Sequence, residues 1–279
     1  MSASLENARR HSIATERLTK RFGPEGSGLL AVDQVDLTVE AGHFFGFLGP
    51  NGAGKSTTIR MLTGLLAPTS GRIRILGFDL EENPLEVKRQ IGVVPEGLAL
   101  FDRLTGAEYL NFAGRMYGLE RNTAAQRTAE LLEFMQLADR PKTQINEYSH
   151  GMQKKLALAA AVIHAPKVLF LDEPFEGVDA IAAGTLKAML SRMAERGATI
   201  FLTSHVLEIV ERLCSHLAII HQGRLVAQGS LEELRRGVEA KVSHEAAPGE
   251  EARKLTLEEI FLQIVGGQRA AAPELSWLA

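Results

Sequence analysis

"GPNGAGKST" occupies residues 49–57, directly after the apolar run "HFFGFL" (43–48) and directly ahead of the helical pattern "KSTTIRMLTGLL". It matches G-x-x-x-x-G-K-[ST] in the strand-then-helix setting that gives the pattern its meaning. Glycines let the backbone N–H groups of Asn51, Gly52, Ala53 and Gly54 curl around a β-phosphate. Lys55 supplies a cation for the β- and γ-phosphates, Ser56 a hydroxyl for Mg²⁺, and Thr57 a hydroxyl for the α-phosphate. Gly49 and Pro50 open the same loop and are counted with it. The competing reading, a glycine turn followed by an accidental Lys-Ser, is disfavoured by that setting.

Such a loop needs acidic partners, and "VLFLDEP" (168–174) offers them. A buried apolar run ends in two acids where the carboxyl end of a parallel strand would meet the phosphate loop. Asp172 is expected to hold Mg²⁺ through its water shell. Glu173, one residue on, points differently and suits the polarisation of an attacking water. Alone, this pattern would be a strand followed by a solvated acidic turn. "TSHVLE" (203–208) then places His205 after the strand-like "ATIFL", on the same sheet edge, within reach of a γ-phosphate.

Around these motifs the chain alternates. "VDLTV" (35–39), "GRIRIL", "IGVVP", "KVLFLD", "ATIFLTS" and "LAIIH" read as strands, and "AGTLKAMLSRMAERG" and "VLEIVERL" as helices. Residues 103–165 differ in being helical almost throughout, with Thr105 and Glu108 forming a capping box. The pattern implies a parallel sheet flanked by helices, interrupted by a helical insertion at about 97–165. From about 238 the chain turns polar and reads as a linker. "LTLEEIFLQIVGG" follows, with a capping box at Thr256 and Glu259, and then a tail whose Leu275, Trp277 and Leu278 are expected to dock on a neighbour.

Composition sets outer bounds. A formal charge of −3 over 279 residues argues against a general attraction to nucleic acid. The single cysteine, Cys214, excludes an intramolecular disulfide and reads as a small core residue. No apolar stretch at the amino terminus resembles a secretory signal, and no window is long and apolar enough to span a bilayer.

Taken together, the phosphate loop, helical insertion, "YSHGM" (148–152), the paired carboxylates, "EGVD" (176–179) and His205 resemble, in order and spacing, the nucleotide-binding subunit of ABC transporters. The resemblance runs over roughly residues 12–235. It implies an α/β fold: a P-loop NTPase core of RecA-like type with a mostly parallel sheet, an amino-terminal antiparallel β portion and an inserted α-helical subdomain. It places an ATPase domain at 12–237 and a linker, short helix and tail at 238–279. The cofactors implied are ATP and Mg²⁺. Phe22, in "LTKRFG", matches the aromatic residue that stacks on adenine, with a core aromatic as the alternative. Asp179 closes the D-loop.

"YSHGMQKK" (148–155) opens a helix with Ser149 at its cap and two lysines in its first turns, an arrangement suited to an anion. A helix terminus contributes only about 0.3–1 kcal/mol toward an anion, so the site must be completed elsewhere. By resemblance the completion is a head-to-tail dimer, in which Ser149 and the Gly151 N–H meet the γ-phosphate held by the other subunit. His150 and Met152 depart from the family's L-S-G-G-Q, while Ser149 and Gly151 remain. Glu96 stands where the family commonly has glutamine. It either touches Mg²⁺, the reading preferred here, or turns away and acts as a hinge. Leu98, Leu100 and Phe101 are expected in an exposed loop that receives an integral-membrane permease, with packing against the insertion as the alternative. The resemblance implies an ATPase peripheral on the cytoplasmic face of the membrane, paired with a second ATP-binding subunit and driving export, with no nucleic acid among its partners. The rivals are a soluble ABC protein of ribosomes or DNA, a non-hydrolysing scaffold, and a nucleotide kinase or GTPase. The last lacks an N-K-x-D motif.

Overall fold

The computed structural model describes residues 11–24, 28–245 and 255–266. Its centre is a six-stranded sheet in the order β11-β10-β4-β9-β8-β7. The strands are β4 (Phe44–Leu48), β7 (Ile91–Val94), β8 (Val168–Asp172), β9 (Thr199–Thr203), β10 (His216–His221) and β11 (Arg224–Ser230). The inner pairings are parallel, and β11 closes one edge as an antiparallel hairpin with β10. β4 shows why these runs are apolar throughout. Successive side chains face opposite sides of a sheet covered on both. Phe44 and Leu48 enter the core beneath the helices, while Phe45 and Phe47 enter the core on the other face. Between them Gly46 sits tight against the opposing elements, since a Cβ there would lie 2.8 Å from Val210 Cγ1 and 3.3 Å from Cys214 Sγ.

A second sheet is antiparallel: β1 (His11–Phe22), β2 (Leu29–Val35), β3 (Thr38–Glu40), β5 (Ser70–Ile75) and β6 (Phe78–Asp79). The second core, with Ile13, Val32, Ile73 and Phe170, lies between the two sheets together with helix α1 (Lys55–Leu62). "VDLTV" is not one strand. It divides at Asp36-Leu37 into β2 and β3, which pair with different stretches of β1. Burial along β1 does not alternate, so it shows no period of two.

After helix α2 (Pro84–Gln90), the insertion contains helix α3 (Gly106–Met116) behind its Thr105/Glu108 capping box and helix α4 (Arg121–Phe134). Helix α5 (His150–Val162) then runs buried between the insertion and the sheet. Leu98 and Leu100 are not exposed: both are partly buried against this core, and Phe101 alone of the three stands out at 51% exposure. Helix α6 (Ala180–Glu195) and helix α7 (Leu207–Leu213) complete the layer. Cys214 ends α7 in the core, where burial pushes its thiol pKa up.

The boundary expected at 238 is crossed by helix α8 (Leu231–Glu245), because the polar residues after 238 continue a helix begun at Leu231. Helix α9 (Leu257–Val265) carries the Thr256/Glu259 capping box and packs back on the main body, with Leu257 and Ile260 buried. The rest of the expected linker, and the tail with Leu275, Trp277 and Leu278, lie outside the described residues. Among the described residues no helix is long and apolar enough to cross a membrane.

Candidate nucleotide site

The carboxyl ends of β4, β8 and β9 converge on the 49–57 loop. Two glycines there are obligatory. A Cβ on Gly49 would lie 2.4 Å from the Ile220 carbonyl oxygen, and one on Gly54, whose φ is +108°, would lie 2.5 Å from that of Ala31. No side chain caps α1, and its first backbone bond runs from Thr58 N–H to the Gly54 carbonyl at 2.9 Å. The N–H groups of Lys55, Ser56 and Thr57 therefore have no helical acceptor and suit an anion. Lys55 is 7% exposed and its Nζ donates to the carbonyls of Gly49 (2.8 Å) and Pro50 (3.3 Å), which holds the ammonium over the loop. The uncapped helix start, the close backbone approach and the held cation fit a polyphosphate.

Register brings the acids together with the loop. Asp172 and Thr203 are partners at the ends of adjacent parallel strands. Thr203 Oγ1 donates to Asp172 Oδ1 at 2.6 Å and accepts from Glu173 N–H at 3.1 Å, while Ser56 Oγ donates to the same Oδ1 at 3.3 Å. A carboxylate beside a hydroxyl offers the hard oxygens Mg²⁺ prefers, with substrate phosphates completing its shell. No cluster of three or more His, Cys, Asp or Glu able to hold a metal occurs among the described residues, so those phosphates would be needed.

Glu173 is held in an unusual backbone state, with φ +49° and 7% exposure. A non-glycine residue there costs roughly 1–3 kcal/mol, maintained by its surroundings. Its Oε2 accepts from the His205 backbone N–H at 3.2 Å and from His205 Nδ1 at 3.0 Å. Because a carboxylate only accepts, Nδ1 carries the proton in this pair. Oε1 accepts no hydrogen bond among the described residues. His205, placed by sequence near a phosphate, has Glu173 as its first partner, and its Nε2 makes no hydrogen bond among the described residues.

The 148–152 turn is built locally. Ser149 caps α5 by accepting from Met152 N–H at 3.3 Å, and it is exposed. Gly151 is buried, with Ala182 and Asp179 Oδ2 within 3.5 Å of where its Cβ would stand. Asp179 caps α6 through Oδ1, which accepts from Ile181 and Ala182 N–H, both at 2.9 Å. The two lysines do not face the turn: Lys154 and Lys155 are buried, and Lys154 Nζ reaches the Glu173 carbonyl at 3.1 Å. No hydrogen bond among the described residues joins 148–152 to 49–57. Phe22 ends β1 at 42% exposure with Lys20 Nζ 5.4 Å from its ring centre, so it is not a core aromatic. Glu96 is exposed and makes no hydrogen bond to Ser56 or Asp172.

A family model described as ABC transporter matches residues 32–176. The chain belongs to the ABC transporter family. It is 38% identical over 222 residues to the linearmycin resistance ATP-binding protein LnrL of Bacillus subtilis (strain 168), covering 80% of this chain and 70% of that one. To the daunorubicin/doxorubicin resistance ATP-binding protein DrrA of Streptomyces peucetius it is 37% identical over 257 residues, covering 91% and 77%. A solved structure of an ATP binding subunit of an ABC transporter superposes with a TM-score of 0.79 at 30% identity, covering 90% of this chain and 98% of that one.

As an ABC ATPase subunit, the chain has its phosphate loop, Glu96, signature turn and paired carboxylates inside the matched span, whereas Phe22, Asp179 and His205 lie outside it. Thr203 was not read from sequence, and Lys154 was read for a different partner. Thr203 stands in the quoted "TSHVLE", and its signal was its position opposite Asp172, which only register reveals. Lys154 was visible as a lysine, but its direction was not.

Proposed function

We propose that this ABC ATPase subunit works as a head-to-tail pair, powers a separately encoded integral-membrane permease, and serves export. The observation that carries the pairing is that no hydrogen bond among the described residues joins the signature turn, with Ser149 exposed, to the phosphate loop of the same chain. Phe22 would stack on adenine, residues 49–57 would cradle the phosphates, and Ser149, with Gly151 and Asp179 behind it, would close over the γ-phosphate from the partner. Mg²⁺, held by Ser56 and Asp172, would neutralise charge on the phosphate oxygens. Glu96, exposed and without a hydrogen bond to Ser56 or Asp172, would either meet that ion directly or serve as a hinge in its loop.

Hydrolysis then follows from the pinned carboxylate. With Oε2 occupied by His205, Oε1 is free to take a proton from water as its oxygen bonds to the γ-phosphorus. The bond from that phosphorus to the bridging oxygen breaks, leaving ADP and phosphate. Export is supported by the resistance proteins among the relatives. Permease docking is supported by Phe101, Phe112 and Met116, which stand exposed ahead of α3, within it and at its end.

Phosphate release from the purified chain, abolished by Glu173→Gln, is the first test. ATP should drive the same variant into a dimer seen by sedimentation, and a monomer at saturating ATP would sink the pairing. Copurification with a polytopic membrane protein is expected; recovery with ribosomes instead would refute the transport role.

A further inference from the structure

Glu173 is gripped on both of its flanking peptides. On the amino side its N–H donates to Thr203 Oγ1, at the end of β9. On the carboxyl side its carbonyl, in the amide leading to Pro174, accepts from Lys154 Nζ at 3.1 Å. Pro174 brings no N–H to that amide, so its carbonyl is the polar handle by which the peptide plane can be held. Lys154 sits five residues beyond the Ser149 cap on the same helix, with 2% of its surface exposed. A helix is stiff over that distance, so the cap and the ammonium move together.

We infer that Lys154 is a positioning residue for hydrolysis: from the signature helix it holds the Glu173–Pro174 peptide, and so the base, in the left-handed conformation that aims its carboxylate. This rests on the reading of Glu173 as the base. Burial in an apolar helix layer works against a charged lysine and lowers its pKa. The fields of Glu176, Glu96, Asp172 and Glu173 oppose that shift, in that order of size. A buried lysine is costly, and these carboxylates offset part of that cost.

The test is ATP turnover by the purified full chain carrying Lys154→Met, which keeps length and loses both charge and donor. Expected is a fall in kcat of about tenfold or more, the scale of one charge-assisted hydrogen bond, with KM for ATP within about twofold of wild type. Lys154→Gln, which keeps an N–H donor, should recover part of the loss. If the methionine variant does not fold, the glutamine variant alone must show a reduced kcat at unchanged KM. An unchanged kcat, a fall in ATP affinity as large as the fall in kcat, or no recovery at all in Lys154→Gln overturns the inference. If wild type hydrolyses ATP in a Glu173-dependent way and only the Lys154 result fails, the base assignment stands and this inference alone falls. A wild-type chain that releases no phosphate removes both.

Discussion

The strand-end network and the signature turn are both parts of the candidate site, yet they are constructed in opposite ways. Ser56, Asp172, Glu173, Thr203 and His205 come from three separate stretches of chain and share hydrogen bonds in a connected chain. The signature turn needs only its own helix start, with Ser149 capping Met152 three residues on. One region is collective and mostly buried, the other modular and exposed. A collective region fails as a unit when a member is lost, whereas a modular one loses only the piece removed.

The contrast can be broken most severely at Lys55. Lys55→Ala removes the cation held over the loop, and ATP affinity should fall by about 100-fold or more in equilibrium binding. Undiminished binding would mean that the loop does not hold phosphate. Thr203→Val comes next. It strips a donor from Asp172 and an acceptor from the Glu173 N–H, so kcat should drop by about tenfold. Paired with Asp172→Asn, its effects should be non-additive by about 0.5–3 kcal/mol; simple additivity would dissolve the picture of a connected network.

Ser149→Ala probes the other region. Losing the cap should cost about 1 kcal/mol, a fall in Tm of about 2–4 °C, while ATP binding to the chain's own phosphate loop is unchanged. Weakened binding by the isolated chain would show the turn to be part of its own loop's site.

A smaller effect, outside both regions, calibrates pH experiments on them. His164 stacks on Tyr117 with Nε2 2.9 Å from the Ile91 carbonyl, and burial holds its pKa down, from 6.5 to about 4. Between those values the unfolded chain takes up a proton that the folded one refuses, so stability rises with pH across that window and is level above it. In His164→Gln that part of the slope should vanish from Tm measured between pH 4 and 6.5. An unaltered slope would assign it to other groups.

The modular parts were the legible ones. A phosphate loop, three capping boxes or caps at Thr105, Thr256 and Ser149, and the doubly buried strands all announce themselves within ten residues, because local chemistry decides them. What sequence concealed depends on distant partners. Thr203 matters because register sets it beside Asp172. Lys154 and Lys155 read as cations for an anion at the helix start, but the apolar surroundings of α5 turn them inward. Leu98 and Leu100 looked like a docking surface and instead find partners in the core. Residues 238–245 read as the start of a linker and instead extend α8, since polar residues can prolong a helix already under way.

Arg235 of α8 bonds to Glu211 of α7 at 2.9 Å and, through Nε, to the Leu255 carbonyl at 2.9 Å. It thus ties α8 both to the segment entering the last described helix and to the short helix that begins two residues after His205. A displacement of the segment entering α9 would therefore be carried by one guanidinium to the short helix that follows His205.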